Sequence, residues 1–129
     1  MSVNILIVDD SPIIRSVLKK AITMANLPVA ELYQAGNGQE ALDVIEAEWI
    51  DVMFLDINMP VMNGVEVLQN LNENGDINSV KVIVISTEGS STRIEELNKL
   101  GIKGFLRKPF TPEQFQEVFT KATDIQNAA

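Results

Sequence analysis

The chain of 129 residues contains no cysteine and no histidine. Without cysteine there is no disulfide, no thiolate nucleophile and no cysteine-ligated zinc or iron–sulfur site, a pattern that fits a reducing compartment and an expected cytoplasmic location. Without histidine the chain lacks the usual general base and the commonest zinc ligand, and it cannot itself be a phosphohistidine donor. Basic residues are also scarce. Ten Lys and Arg stand against eighteen Asp and Glu, a net charge of -8. Nucleic-acid binding needs clustered cations on phosphates, and these ten are scattered, so no direct nucleic-acid contact is expected. Long apolar runs are missing as well. No window approaches the roughly 18 apolar residues of a membrane span, and Met1-Ser2-Val3-Asn4 lacks the basic start of a signal peptide. No membrane partner is expected.

The composition that remains, 46% hydrophobic and 22% charged, is that of an ordinary globular protein. The length suits a single domain over residues 1–129. Four β-branched apolar runs, Val3 to Val8, Asp51 to Leu55, Val80 to Ile85 and Lys103 to Leu106, read as buried parallel strands. A weaker alternating run, Val29 to Gln34, reads as an edge strand. Helical patterns separate them. Ser11-Pro12 opens the first, which turns Ile14, Val17, Leu18, Ala21 and Ile22 inward. The second starts near Asn37-Gly38 and carries Ala41, Leu42, Ile45 and Trp49 toward the core. The third, after Gly64, aligns Val65, Leu68 and Leu71. The fourth carries Ile94, Leu97 and Leu100 before a Gly101 cap. The last opens on the capping box Thr111-Pro112-Glu113-Gln114 and buries Phe115, Val118, Phe119 and Ala122. Strand and helix alternate five times, which predicts an α/β fold with one parallel sheet covered on both faces.

In such sheets ligands bind outside the carboxyl ends of the strands. There the sequence places Asp9-Asp10, Asp56, Ser86-Thr87 and Lys108-Pro109. Singly, each has an ordinary reading as a turn residue, a helix cap or a solvated lysine. Together they bring three carboxylates and one ammonium to one edge. Close carboxylates repel unless a cation joins them. Mg²⁺, or Mn²⁺, suits an oxygen-only donor set, whereas zinc and copper lack an imidazole or thiolate here. A carboxylate can also attack phosphorus, with the metal and a lysine offsetting charge on the transferred group. Asp56 is the central choice, and Ser86 or Thr87 offers the neighbouring hydroxyl, since strand alternation lets only one of them face the site.

Val8-Asp9-Asp10-Ser11, Phe54-Leu55-Asp56-Ile57-Asn58-Met59-Pro60 with Asn63-Gly64, Ile85-Ser86-Thr87-Glu88 and Phe105-Leu106-Arg107-Lys108-Pro109-Phe110, in this order and spacing, resemble a response-regulator receiver domain of two-component signalling. The resemblance runs from Val3 to the last helix. It implies a flavodoxin-like, doubly wound five-stranded parallel sheet of order 2-1-3-4-5 with five helices. It also implies that Asp56 is the phosphoacceptor, that Asp10, Asp56 and the backbone carbonyl of Asn58 ligate Mg²⁺ with Asp9 acting through water or by position, and that Lys108 pairs with the phosphoryl group. Ser86 would be the switch hydroxyl and Phe105 the switch aromatic, while Asn58 and Glu88, each two residues past a site residue, would set phosphoryl lifetime. The implied partners are a histidine kinase, a downstream protein such as a flagellar motor component or relay protein, and a phosphatase. The implied output surface is the face of the fourth helix, fifth strand and fifth helix, in a chemotaxis-type protein that catalyses only its own phosphoryl transfer and autodephosphorylation.

Other readings carry less. A haloacid-dehalogenase-type phosphatase needs a second Asp two residues past the nucleophile, where this chain has Asn58. A flavodoxin-like electron carrier would place a flavin phosphate against Asp9-Asp10. A receiver excised from a longer DNA-binding regulator would share every motif; the ending Asp124-Ile125-Gln126-Asn127-Ala128-Ala129, without a linker, favours a stand-alone regulator.

Overall fold

A computed structural model describes residues 2–124. The stretch 125–129, on which the expectation of a stand-alone chain rested, lies outside the described residues. Strands and helices alternate as β1 (Val3–Val8), α1 (Pro12–Met24), β2 (Val29–Ala35), α2 (Gly38–Ala47), β3 (Val52–Leu55), α3 (Gly64–Asn74), β4 (Lys81–Ser86), α4 (Ser91–Lys99), β5 (Gly104–Arg107) and α5 (Pro112–Thr123). A short 3₁₀ turn, Asp76–Asn78, follows α3; no sequence pattern had marked it. Every strand pairing is parallel and the order is β2-β1-β3-β4-β5. The predicted strand bounds shift by a residue: β3 begins after Asp51, β4 runs on through Ser86, and β5 begins at Gly104 rather than Lys103.

The period-2 alternation of the strands builds two cores. Leu6, Val8, Met53, Leu55, Val82 and Val84 face α2, α3 and α4 through Ala41, Leu68, Leu71 and Leu97. Ile5, Ile7, Phe54, Ile83 and Ile85 face α1 and α5 through Leu18, Ile22, Phe115 and Phe119. On that second side Phe54 stacks on Phe115 at 5.1 Å between centroids, and Phe110 on Phe115 at 5.6 Å. Central strands buried on both faces leave little freedom of register, because a slip by one residue would exchange the two cores. The helix starts follow their sequence signals. Ser11 Oγ accepts from Ile14 N–H ahead of Pro12, and Thr111 with Gln114 forms the predicted capping box.

Two expected core residues are on the surface. Val17 is half-exposed because it lies about 100° around α1 from Leu18, at the edge of the buried stripe beside exposed Ile13 and Met24. Trp49 falls beyond the end of α2, where its indole N–H donates to Asp51 Oδ1 at 2.9 Å and its ring stays in solvent.

Val61, between β3 and α3, has φ 67° and a side chain 79% exposed. A β-branched residue in the left-handed region is strained, and here no packing offsets the strain. Val61→Asn is expected to raise stability by about 0.5–1 kcal/mol, a rise in Tm of roughly 2–4 °C, since Asn tolerates this conformation. Calorimetry showing an unchanged or lower Tm would remove the strain assignment.

Candidate functional site

The strand order reverses between β1 and β3, and the crevice at that point collects the charged residues. Hydrogen bonds that continue the sheet beyond its strands hold their backbones in place. Asp9 N–H donates to the Ala35 carbonyl at 3.2 Å, Asp56 N–H to the Val8 carbonyl at 3.0 Å, and Lys108 N–H to the Ser86 carbonyl at 2.9 Å. Each acidic or basic side chain is therefore carried by a backbone that its neighbouring strand fixes. Gly64 opens α3 directly over this corner: a Cβ there would lie 2.6 Å from the Asp56 carbonyl and 2.8 Å from Ile57 Cδ1. No larger residue fits without displacing the Asp56 loop.

Carboxylate oxygens of Asp9, Asp10 and Asp56 lie within 4.8 Å of one another. Asp9 and Asp56 are buried, whereas Asp10 is exposed. Lys108 Nζ sits 3.0 Å from Asp9 Oδ2 and 3.8 Å from Asp56 Oδ1. The other Asp9 oxygen, Oδ1, accepts from Ser11 N–H at 2.9 Å. Both Asp9 oxygens are thus engaged within the protein. Burial pushes the Asp56 carboxyl up from the ordinary 3.8 to about 6; Lys108 opposes the rise, and the Asp9 and Asp10 charges add to it. A donor set of oxygens alone, crowded and short of cations, fits a hard divalent ion such as Mg²⁺ and does not fit zinc.

The other predicted residues surround this cluster. Asn58 is exposed on the loop after β3. Ser86 is buried at the end of β4, and its Oγ accepts from Glu88 N–H at 3.1 Å; its competitor Thr87 is exposed. Phe105 is half-buried against the α2–α3–α4 core. Two arginines went unnoticed in the sequence. Arg15, one turn past Ser11 on α1, donates through Nη1 to the Asp9 carbonyl at 2.6 Å and through Nε to Gln34 Oε1 at 3.2 Å, fixing the acidic loop to the edge strand. Arg93 on α4 pairs with Glu88 at 2.9 Å. The helical position of Arg15 was visible, but its reach to a carbonyl six residues back was not.

The raised pKa sets a pH dependence. The native state holds a proton on Asp56 that the unfolded chain releases between about pH 4 and 6, so this group's contribution to stability falls as pH rises through that window. With EDTA present, Asp56→Asn is expected to exceed the parent by roughly 2 kcal/mol at pH 7.5 and to match it near pH 4. Denaturant titrations at both pH values test this, and an equal gap at both would contradict it.

Comparison with known proteins places this geometry in a family. A family profile described as the response regulator receiver domain matches residues 5–120. The chemotaxis protein CheY of Thermotoga maritima is 37% identical over 123 residues, which cover 95% of this chain and 99% of the relative. The nitrate/nitrite response regulator protein NarL of Escherichia coli is 32% identical over 119 residues, 92% of this chain but 54% of the relative. Among solved structures, chemotaxis response regulator CheY4 of Vibrio cholerae superposes with a TM-score of 0.83 at 30% identity, covering 95% of this chain and 99% of that one. A CheY-like receiver domain protein of Methanospirillum hungatei does so at 0.81 and 25% identity, covering 96% and 95%. The phosphatase and flavin-carrier readings give way to this match: the chain belongs to the response-regulator receiver domain family of two-component signalling.

Proposed function

We propose that this receiver domain accepts a phosphoryl group on Asp56 from a phosphohistidine donor, in a Mg²⁺-dependent transfer, and passes the signal on by changing which protein it binds. The observation that carries the reading is the buried Asp56 carboxylate beside Asp9, Asp10 and Lys108. Both Asp9 oxygens already serve Ser11 and Lys108, which agrees with the ligand set the family resemblance implies: Asp10, Asp56 and the Asn58 carbonyl would hold the ion, and Asp9 would contribute charge and position. Mg²⁺, or Mn²⁺, supplies a positive centre that offsets charge on the transferred group.

An Asp56 oxygen attacks phosphorus in line with the donor nitrogen; the new P–O bond forms as the P–N bond breaks, and the electron pair leaves with the imidazole. Lys108 Nζ, held by Asp9 within 3.8 Å of Asp56, pairs with a phosphoryl oxygen. Ser86 offers its hydroxyl to another. The product carries nearly two negative charges and three acceptor oxygens where the Asp56 carboxylate carried one charge. That change would draw the Ser86 loop inward, let Phe105 turn into the vacated space, and reshape the face of α4, β5 and α5. The domain turns over no outside substrate beyond its own phosphorylation and autodephosphorylation, with Asn58 and Glu88 setting the lifetime.

The donor side also has a surface. A groove of about 400 Å³ lined by Ile14, Val17, Leu18, Thr87, Lys108 and Phe110 opens beside the lysine and is almost wholly apolar. It would form a contact surface for the phosphodonor protein proposed above, with half-exposed Val17 in its lining. Similarity to chemotaxis proteins such as the Thermotoga maritima CheY favours a chemotaxis output, such as a flagellar motor component or relay protein, with a phosphatase to end the signal. No helix among the described residues is long and apolar enough to cross a membrane.

The test is intact mass after incubation with Mg²⁺ and acetyl phosphate or phosphoramidate. The parent is expected to gain one labile phosphoryl group, and Asp56→Asn or EDTA-treated protein none. A gain in Asp56→Asn would move the acceptor elsewhere; no gain in the parent would make this a phosphorylation-independent receiver.

A further inference from the structure

The loop after β4 carries a charged pair, Glu88 and Arg93, of which the phosphoryl chemistry above uses only Glu88. Glu88 stands two residues past Ser86, and its N–H donates to Ser86 Oγ at 3.1 Å. Its side chain turns to α4, where Oε1 meets Arg93 Nε at 2.9 Å; Arg93 Nη1 also lies 3.4 Å from Glu96 Oε1. The Arg93 N–H is itself capped by Ser90 Oγ at 3.2 Å. Strand end, loop and first helical turn thereby form one closed circuit of hydrogen bonds. The circuit rests on β5, since a Cβ added at Gly89 would come within 3.3 Å of Arg107 Cδ and 3.6 Å of Phe105 Cε1.

A half-exposed ion pair of this kind adds little to global stability. Its consequence is local. A glutamate side chain has three rotatable bonds, and its backbone here is one hydrogen bond from the Ser86 hydroxyl. Unrestrained, its carboxylate could lie over the approach to Asp56, where it would obstruct and repel an incoming phosphodonor dianion.

We infer that Arg93 is a positioning residue of the phosphoryl cycle, clasping the Glu88 carboxylate against α4 and so keeping the mouth of the Asp56 site open. The inference rests on Asp56 being the acceptor. It requires Arg93 to act through Glu88, and epistasis tests that. Phosphorylation by acetyl phosphate with Mg²⁺ is followed by intact mass in the parent, Arg93→Ala, Glu88→Ala and the double variant, each checked for unchanged thermal unfolding. Arg93→Ala should slow phosphorylation about three- to fivefold, the scale of one partly exposed ion pair. In the Glu88→Ala background the same change should alter the rate by less than about 1.5-fold, no carboxylate being left to release. Mg²⁺ affinity, read by titration calorimetry, should be the same in parent and Arg93→Ala, as Arg93 supplies no ligand. Equal slowing in both backgrounds, or none in either, would overturn the role of Arg93 and leave Asp56 intact. A parent that takes up no phosphoryl group would overturn both.

Discussion

The structure depends on holding a buried carboxylate where water would be kinder to it. Asp56 lies beside Asp9 and Asp10, and the Lys108 ammonium pairs with Asp9 and Asp56. Left alone, such a cluster would spread apart. It stays together because inter-strand hydrogen bonds fix the backbones of Asp9, Asp56 and Lys108, and those strands are locked between two apolar layers. The energy of the core is thus partly stored as electrostatic frustration at one edge. A divalent ion would relieve that frustration, and such a cation would in turn make an incoming phosphoryl anion tolerable.

Much of this was legible in the sequence, because the informative residues lie on elements with strong local signals. Val3 to Val8 and Val80 to Ile85 could only be buried strands, and the Ser11-Pro12 and Thr111-Pro112 starts marked helices correctly. Strand ends converge by topology, so Asp9, Asp10, Asp56 and Lys108 were predictable neighbours. Side chains at the margins were not. Val17 and Trp49 are apolar at positions where periodicity alone could not say how wide the buried stripe of α1 is or where α2 ends. Arg15 and Arg93 were missed for another reason: a long side chain's partner depends on loop geometry that no periodic pattern encodes.

The rigid and the adjustable parts are divided cleanly. Asp56 and Asp9 stand at the ends of strands that cannot slip without exchanging the two cores. Ser86 stands at the same level but is followed by a loop held mainly by its own side chains: Glu88 on Ser86, Arg93 on Glu88, Ser90 on the first turn of α4. Such ties are individually weak and can be exchanged for others at little cost. The conformational change proposed above would therefore be directed toward α4 and β5, where the restraining contacts are cheapest to break.

This division also limits what phosphorylation can do. A covalent phosphoryl group shifts the resting equilibrium only by the difference between its interactions in the two states. On the proposed mechanism its contacts with a metal and with Lys108 on its strand-pinned backbone would be available in both, so they would stabilise the modified protein without favouring either state. The preference would come from the groups proposed to move, the Ser86 hydroxyl and the Phe105 ring. Their resting partners, the Glu88 amide and the core face around α4, would set the threshold the phosphoryl group has to exceed. The residues proposed to receive the signal and those proposed to decide how far it moves the structure are therefore different sets.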